Sequence, residues 1–186
     1  MKNFSLKKLV VTSFLCALVA PSLTYAADGI VNFSGSITDV TCDINGQAPG
    51  DGNVTNVELG RIAPGTFAAI GSASPFVPFK LQLSGAQCTN DAKVSIDFDQ
   101  VENIDSVTGN LKLIGSAPAT GVQIQVFNDT ANGKKIQLGQ RETTPQVAVV
   151  KGNTATLSYK ASYVSTAPVV TPGSGISFVR YTLAYQ

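Results

Sequence analysis

Short runs of alternating apolar and polar residues recur along the whole chain, and no stretch keeps the spacing of an amphipathic helix. An alternation with a period of two places one face of each run in a core and the other toward water. Gly, Pro, Asn and Asp, which favour turns, separate the runs. The predicted strands are centred on residues 40–44, 57–59, 77–83, 94–98, 111–113, 122–126, 157–163 and 179–185.

This pattern predicts an all-β protein. Many short strands separated by turns, with neither a linker nor an internal repeat between them, fit a single two-sheet sandwich of the immunoglobulin-like type. We expect the sandwich to occupy residues 39–186.

The first 26 residues have the three parts of a secretory signal. Lys2, Lys7 and Lys8 form a positive head, residues 9–20 form a short apolar middle, and small residues precede a cleavage site expected after Ala26. A membrane-spanning helix needs about 20 apolar residues, and this run is shorter. The segment therefore predicts export of a mature chain with no stable membrane insertion.

The composition of the mature chain argues against catalysis, metal binding and nucleic-acid binding. The chain has no histidine, which removes the usual general base at neutral pH and most zinc sites. Removing the three signal lysines leaves 10 basic and 12 acidic residues, a balance that does not attract nucleic acid. Neither an enzyme, nor a metal site, nor a cofactor is expected.

Two cysteines, Cys42 and Cys88, remain after processing. An even number in an oxidising compartment favours a disulfide. Closing a loop of this length would stabilise the fold by about 4 kcal/mol on the chain-entropy model.

Small and apolar residues occupy alternate positions at the mature N-terminus. This comb consists of Gly29, Val31, Phe33, Gly35 and Ile37. Farther along, the apolar positions change phase, and a change of phase sends side chains to the opposite face of a sheet. Either one strand contains a bulge, or two functional strands lie end to end.

The other end of the chain stops within an alternating strand that carries Val179, Tyr181, Leu183 and Tyr185. A large apolar strand at a sheet edge is normally an aggregation hazard. Its presence indicates that another segment is meant to cover it.

Four features together resemble the chaperone–usher pilin family, the type 1 fimbrial subunits. They are Phe33-Ser34-Gly35 ahead of Cys42, Glu58-Leu59-Gly60, the run from Pro78 to Leu83 that leads to Cys88, and the penultimate Tyr185. The resemblance implies an immunoglobulin-like sandwich that lacks one strand and is completed by a donor strand from another subunit.

Under this resemblance, residues 27–38 form the donor extension, and its comb fills the groove of a neighbouring subunit. The C-terminal carboxylate of Gln186 would anchor a periplasmic chaperone. The implied partners are that chaperone, an outer-membrane usher and other pilin subunits, in a fimbria outside the cell. The groove would be lined by Val40, Ile44, Val179, Tyr181, Leu183 and Tyr185.

The sequence therefore predicts a structural subunit that polymerises by donor-strand exchange and supports cell adhesion. Only five residues, Ala27 to Val31, precede Asn32-Phe33, so a minor or tip-adapter pilin stays open beside a rod subunit. A self-sufficient β-sandwich adhesin that binds carbohydrate is the other alternative.

Overall fold

The computed structural model describes residues 41–130 and 133–186. These ranges contain strands, turns and one 3-10 helix, Pro64–Thr66. None of the helical segments in these ranges has the length and apolar character needed to cross a membrane. In chain order the strands are β1 Asp43–Ile44, β2 Val77–Ser84, β3 Lys93–Phe98, β4 Leu111–Lys112, β5 Val122–Asn128, β6 Ala148–Val149, β7 Ala155–Ser165 and β8 Tyr181–Tyr185.

The strands form two antiparallel sheets. The larger sheet has the order β1-β2-β7-β5-β4, and the smaller has the order β6-β3-β8. The central strand of the larger sheet, β7, is 11 residues long and pairs with β2 on one side and β5 on the other. The all-β prediction is confirmed, and most predicted runs coincide with strands.

The core lies between the sheets, and in β2 and most of β7 it follows from the alternation along the strand. Leu157 and Tyr159 of β7 face it and are almost fully buried. The rings of Phe79 and Phe98 pack on the Tyr159 ring with centroid distances of 5.6 and 5.8 Å. Phe79 belongs to the larger sheet and Phe98 to the smaller, so Tyr159 joins the two layers.

Cys42 and Cys88 form the predicted disulfide. Both residues are fully buried. The bond links the residue just before β1, an edge strand of the larger sheet, to the connection that leads from β2 into β3 of the smaller sheet.

The sequence did not predict β6. This strand has only two residues, which pair with Lys93 and Val94 of β3. Two residues are too few to show an alternation, so only the tertiary pairing identifies the strand.

A polar cluster fixes the loop at 105–110 against β5. The carboxylate of Asp105 accepts hydrogen bonds from the backbone N–H groups of Val107 (3.0 Å) and Thr108 (2.9 Å) and from Nε2 of Gln123 (3.0 Å). The Thr108 backbone bond is the main reason that the pKa of Asp105 falls from 3.8 to about 2, and the Gln123 bond is the next.

We predict that Asp105→Asn changes the pH dependence of stability. A carboxyl group with a lowered pKa in the folded state stabilises the fold above its unfolded pKa, and this contribution is lost as pH falls toward the folded pKa. The urea midpoint of the variant should lie below that of the parent at neutral pH. The gap should then shrink as pH falls from about 4 toward 2. A gap that stays constant over this interval would contradict the assignment.

Candidate strand-acceptor site

The last strand, β8, lies at one edge of the smaller sheet. Among the described residues its one strand neighbour is β3. Gln186, just after β8, exchanges two backbone hydrogen bonds with Lys93, of 2.9 and 3.1 Å, and the N–H of Asp99 donates to the C=O of Arg180 at 2.9 Å. In this register the even-numbered residues of the segment bond to β3.

The odd-numbered residues of β8 have the opposite orientation. In an antiparallel ladder, backbone groups point alternately to the two sides of a strand. The N–H and C=O groups of Tyr181, Leu183 and Tyr185 therefore point away from β3, and no other described strand pairs with this edge. Among the described residues, these six groups have no strand partner.

The side chains at the same positions lie over the core. Val179, Tyr181, Leu183 and Tyr185 pack against the buried cluster while each stays partly exposed. Even-numbered Thr182 faces the other way and is exposed. Within residues 41–130 and 133–186, β8 thus combines backbone groups that lack a strand partner with an apolar face that is only half covered.

The segment from Val54 to Gly60 comes near β8 where Thr55 approaches Tyr181, and we call it the opposing wall. Its exposure alternates, with Thr55, Val57 and Leu59 half-buried, and Leu59 packs on the core. Burial raises the pKa of the Tyr181 hydroxyl, and a hydrogen bond with the Thr55 side chain opposes that rise. Thr55 of the wall therefore lies near Tyr181 of β8.

Sequence reasoning predicted a strand at 57–59, but the structure pairs this segment with no described strand. The alternation is present because one face lies on the core. A strand also needs a ladder partner, and sequence pattern alone does not supply one. The opposing wall was therefore absent from the predicted groove, although its alternation was visible.

Two asparagines hold the opposing wall in place. Nδ2 of Asn53 donates to the C=O groups of Ile44 (2.8 Å) and Gln47 (3.1 Å). Nδ2 of Asn45 donates to Oγ1 of Thr55 (2.9 Å), and Oδ1 of Asn45 accepts from the backbone N–H of Gln82 (2.9 Å). The start of the wall is thereby joined to β1 and β2.

Tyrosine hydroxyl groups lie at both ends of this region. At the C-terminal end of β8, the Tyr185 hydroxyl accepts a hydrogen bond from the backbone N–H of Cys42 (3.0 Å). Beyond the other end of β8, the Tyr163 hydroxyl donates to the C=O of Gly175 (2.8 Å). Tyr163 and Gly175 also line a cavity of about 430 Å³, bordered by Gly60 from the opposing wall.

The structure brings four of the predicted groove residues together, namely Val179, Tyr181, Leu183 and Tyr185. Ile44 lies in β1, opposite Leu83, and is 4% exposed within the core. Gln186 is exposed at the end of β8. The predicted signal peptide, groove residue Val40 and the donor comb of Gly29, Val31, Phe33, Gly35 and Ile37 lie outside the described residues.

Solved structures share this architecture. A chaperone–usher pilus superposes with a TM-score of 0.55, covering 90% of this chain and 100% of that chain at 19% sequence identity. Identity this low establishes the fold alone. The chain has the immunoglobulin-like sandwich of a pilus subunit, as predicted.

Sequence comparisons define the family. Residues 31–186 match the family model described as Fimbrial protein. The F17 fimbrial protein of Escherichia coli is 36% identical over 178 residues, covering 92% of this chain and 95% of the relative. The long polar fimbria protein A of Salmonella typhimurium is 32% identical, covering 99% of each. The chain belongs to the fimbrial protein family, and it is a structural subunit of a surface fimbria rather than an enzyme.

We predict that Asn53→Ala loosens the opposing wall. The loss of the Asn53 side-chain hydrogen bonds to Ile44, Gln47 and Ala48 should lower the free energy of unfolding by about 1–2 kcal/mol. Urea unfolding followed by fluorescence measures this change. Asn56→Ala, on the exposed side of the same segment, is the control and should cost less than about 0.5 kcal/mol. Equal losses in the two variants would contradict the role given to Asn53.

Proposed function

We propose that this chain is a structural subunit of a chaperone–usher fimbria that polymerises by donor-strand exchange and so supports cell adhesion. The single observation that carries the proposal is the open edge of β8. There, Tyr181, Leu183 and Tyr185 present backbone groups that point away from β3, beside an apolar face that is only half covered. An extended segment from another copy can satisfy both, which is β-augmentation.

The segment proposed to fill the groove is the donor extension, residues 27–38. Its apolar positions recur every second residue, and the half-buried positions of β8 have the same period. Burying Val31, Phe33 and Ile37 would contribute roughly 1.5–3 kcal/mol each. Gly35 would stand at the pocket where, as the resemblance to the family implies, there is no room for a side chain.

A strand seated in this groove would have β8 on one side and the opposing wall on the other. Thr55, Val57 and Leu59 alternate as the residues of a sheet edge do. The incoming strand would therefore join the two sheets across the gap. It would give the half-buried wall the strand partner that it lacks among the described strands.

Before assembly, the same edge needs temporary cover, because an unpaired apolar strand aggregates. We assign that cover to a periplasmic chaperone, with the carboxylate of Gln186 as its anchor point. Gln186 is exposed immediately after β8, where a basic side chain could reach its carboxylate. An outer-membrane usher would then pass each subunit, exported by means of its signal peptide, into the fibre.

The donor side is tested by Phe33→Asp and Ile37→Asp. Each places a charge in an apolar pocket, so the detergent-resistant ladders that exported subunits form should collapse to monomers on unheated gels. Ser34→Asp changes a position of the opposite phase and is the control, which should still polymerise. Parent-like ladders from the Phe33→Asp and Ile37→Asp chains would show that the donor comb is misassigned.

The acceptor side is tested by Leu183→Asp, with Thr182→Asp as the control on the outer face of the same strand. Leu183→Asp should abolish ladders and Thr182→Asp should retain them, because only the former side chain faces the groove.

Mixing separates the two defects. A Phe33→Asp chain can still accept and a Leu183→Asp chain can still donate, so together they should give dimers and nothing longer. If the Phe33→Asp and Leu183→Asp chains form no ladders alone and no dimer when mixed, the result would contradict the exchange of strands.

A further inference from the structure

The hydroxyl group of Tyr185 connects the two sheets. Among the described residues, no strand of one sheet pairs with a strand of the other. The hydroxyl accepts the backbone N–H of Cys42 at 3.0 Å, across 143 positions of sequence. Tyr185 belongs to β8 of the smaller sheet, and Cys42 stands directly before β1 of the larger one. The phenol ring therefore spans the distance between an edge of each sheet.

The direction of the Cys42 N–H makes this contact specific. The N–H of Asn45 donates to the C=O of Gln82 in β2, whereas the N–H of Ile44 donates to the C=O of Gln47 in the adjacent turn. Because backbone groups alternate, the N–H of Cys42 points to the same side as that of Ile44, away from β2. Cys42 is fully buried, so this donor needs a partner. The Tyr185 hydroxyl is that partner.

The other anchor points of the contact are rigid. Cys42 is bonded to Cys88, which lies between β2 and β3. The backbone of Tyr185 is held on one side through its neighbour Gln186, which exchanges two hydrogen bonds with Lys93 of β3. The hydroxyl contact thus restrains the end of β8 from the interior, while the N–H and C=O of Tyr185 itself face the open edge.

We infer that the Tyr185 hydroxyl is a positioning group for strand acceptance: it holds the open edge of β8 at the distance and register that an incoming strand needs. The inference rests on the proposed function and adds a residue-level role to the same groove. Without the hydroxyl, the ring can still pack on the core, but the edge loses its tie to the larger sheet. The backbone groups of the odd-numbered β8 residues then form weaker hydrogen bonds with the incoming strand.

The test uses Tyr185→Phe, which removes only the oxygen. Tyr163→Phe is the matched control, because it removes a hydroxyl that makes one hydrogen bond to the Gly175 carbonyl, beyond the other end of β8. Both are made in the full chain carrying Phe33→Asp, which cannot donate its own strand. Each protein is filled with a synthetic peptide of residues 28–38, and amide hydrogen exchange is followed residue by residue by NMR.

In the Phe33→Asp parent, the amides of residues 181, 183 and 185 should be protected by the peptide. In the Tyr185→Phe variant, those of residues 183 and 185 should exchange about ten-fold faster, the size expected for one lost hydrogen bond. The amides of Thr182 and Ala184, which face β3, should change by less than about two-fold. The Tyr163→Phe control should leave the whole pattern as in the parent.

If amide hydrogen exchange in the Tyr185→Phe variant is accelerated equally at all β8 residues, or at none of them, the inference is overturned and the proposed function stands. An equal effect of Tyr163→Phe on residues 183 and 185 would also overturn it. Odd-numbered amides that are unprotected in the peptide-filled parent would overturn the proposed function, and the inference with it.

Discussion

The structure depends on one constraint: β8 has to serve as a core strand and as an open edge at once. Its odd-numbered side chains lie over the buried cluster, while the backbone groups of the same residues point away from β3. Unpaired backbone groups beside an apolar surface are unfavourable in isolation and favourable once another strand lies against them. Under the proposed function, folding and assembly are coupled through the same residues.

The residues around β8 are joined to the larger sheet by a disulfide and by side-chain hydrogen bonds. The disulfide and the Tyr185 hydroxyl fix one end relative to the larger sheet. Asn45 and Asn53 hold the opposing wall against β1 and β2, so that the second side of the gap is also defined. A groove with two fixed sides loses less conformational entropy when a strand enters than a collapsed one would.

Much of the fold was readable from the sequence, because period-two alternation is a strong signal where one face of a strand is buried. The strands around Leu81, Leu157 and Leu183 follow it, and Cys42 and Cys88 pair as expected. Sequence-based prediction failed where an element is defined by its pairing partner rather than by its own residue pattern. β6 is too short to alternate. The opposing wall alternates in exposure but pairs with no described strand. The Tyr185 contact with Cys42 joins residues far apart in sequence, so no local signal could reveal it.

The most direct test of the central claim is a structure of the assembled fibre at a resolution that traces the backbone. The account predicts that residues 29–37 of one copy form a β-ladder with residues 181–185 of its neighbour, hydrogen-bonded to the N–H and C=O groups of Tyr181, Leu183 and Tyr185. A fibre in which residues 29–37 lie within their own subunit, or in which this edge of β8 faces solvent, would contradict the account.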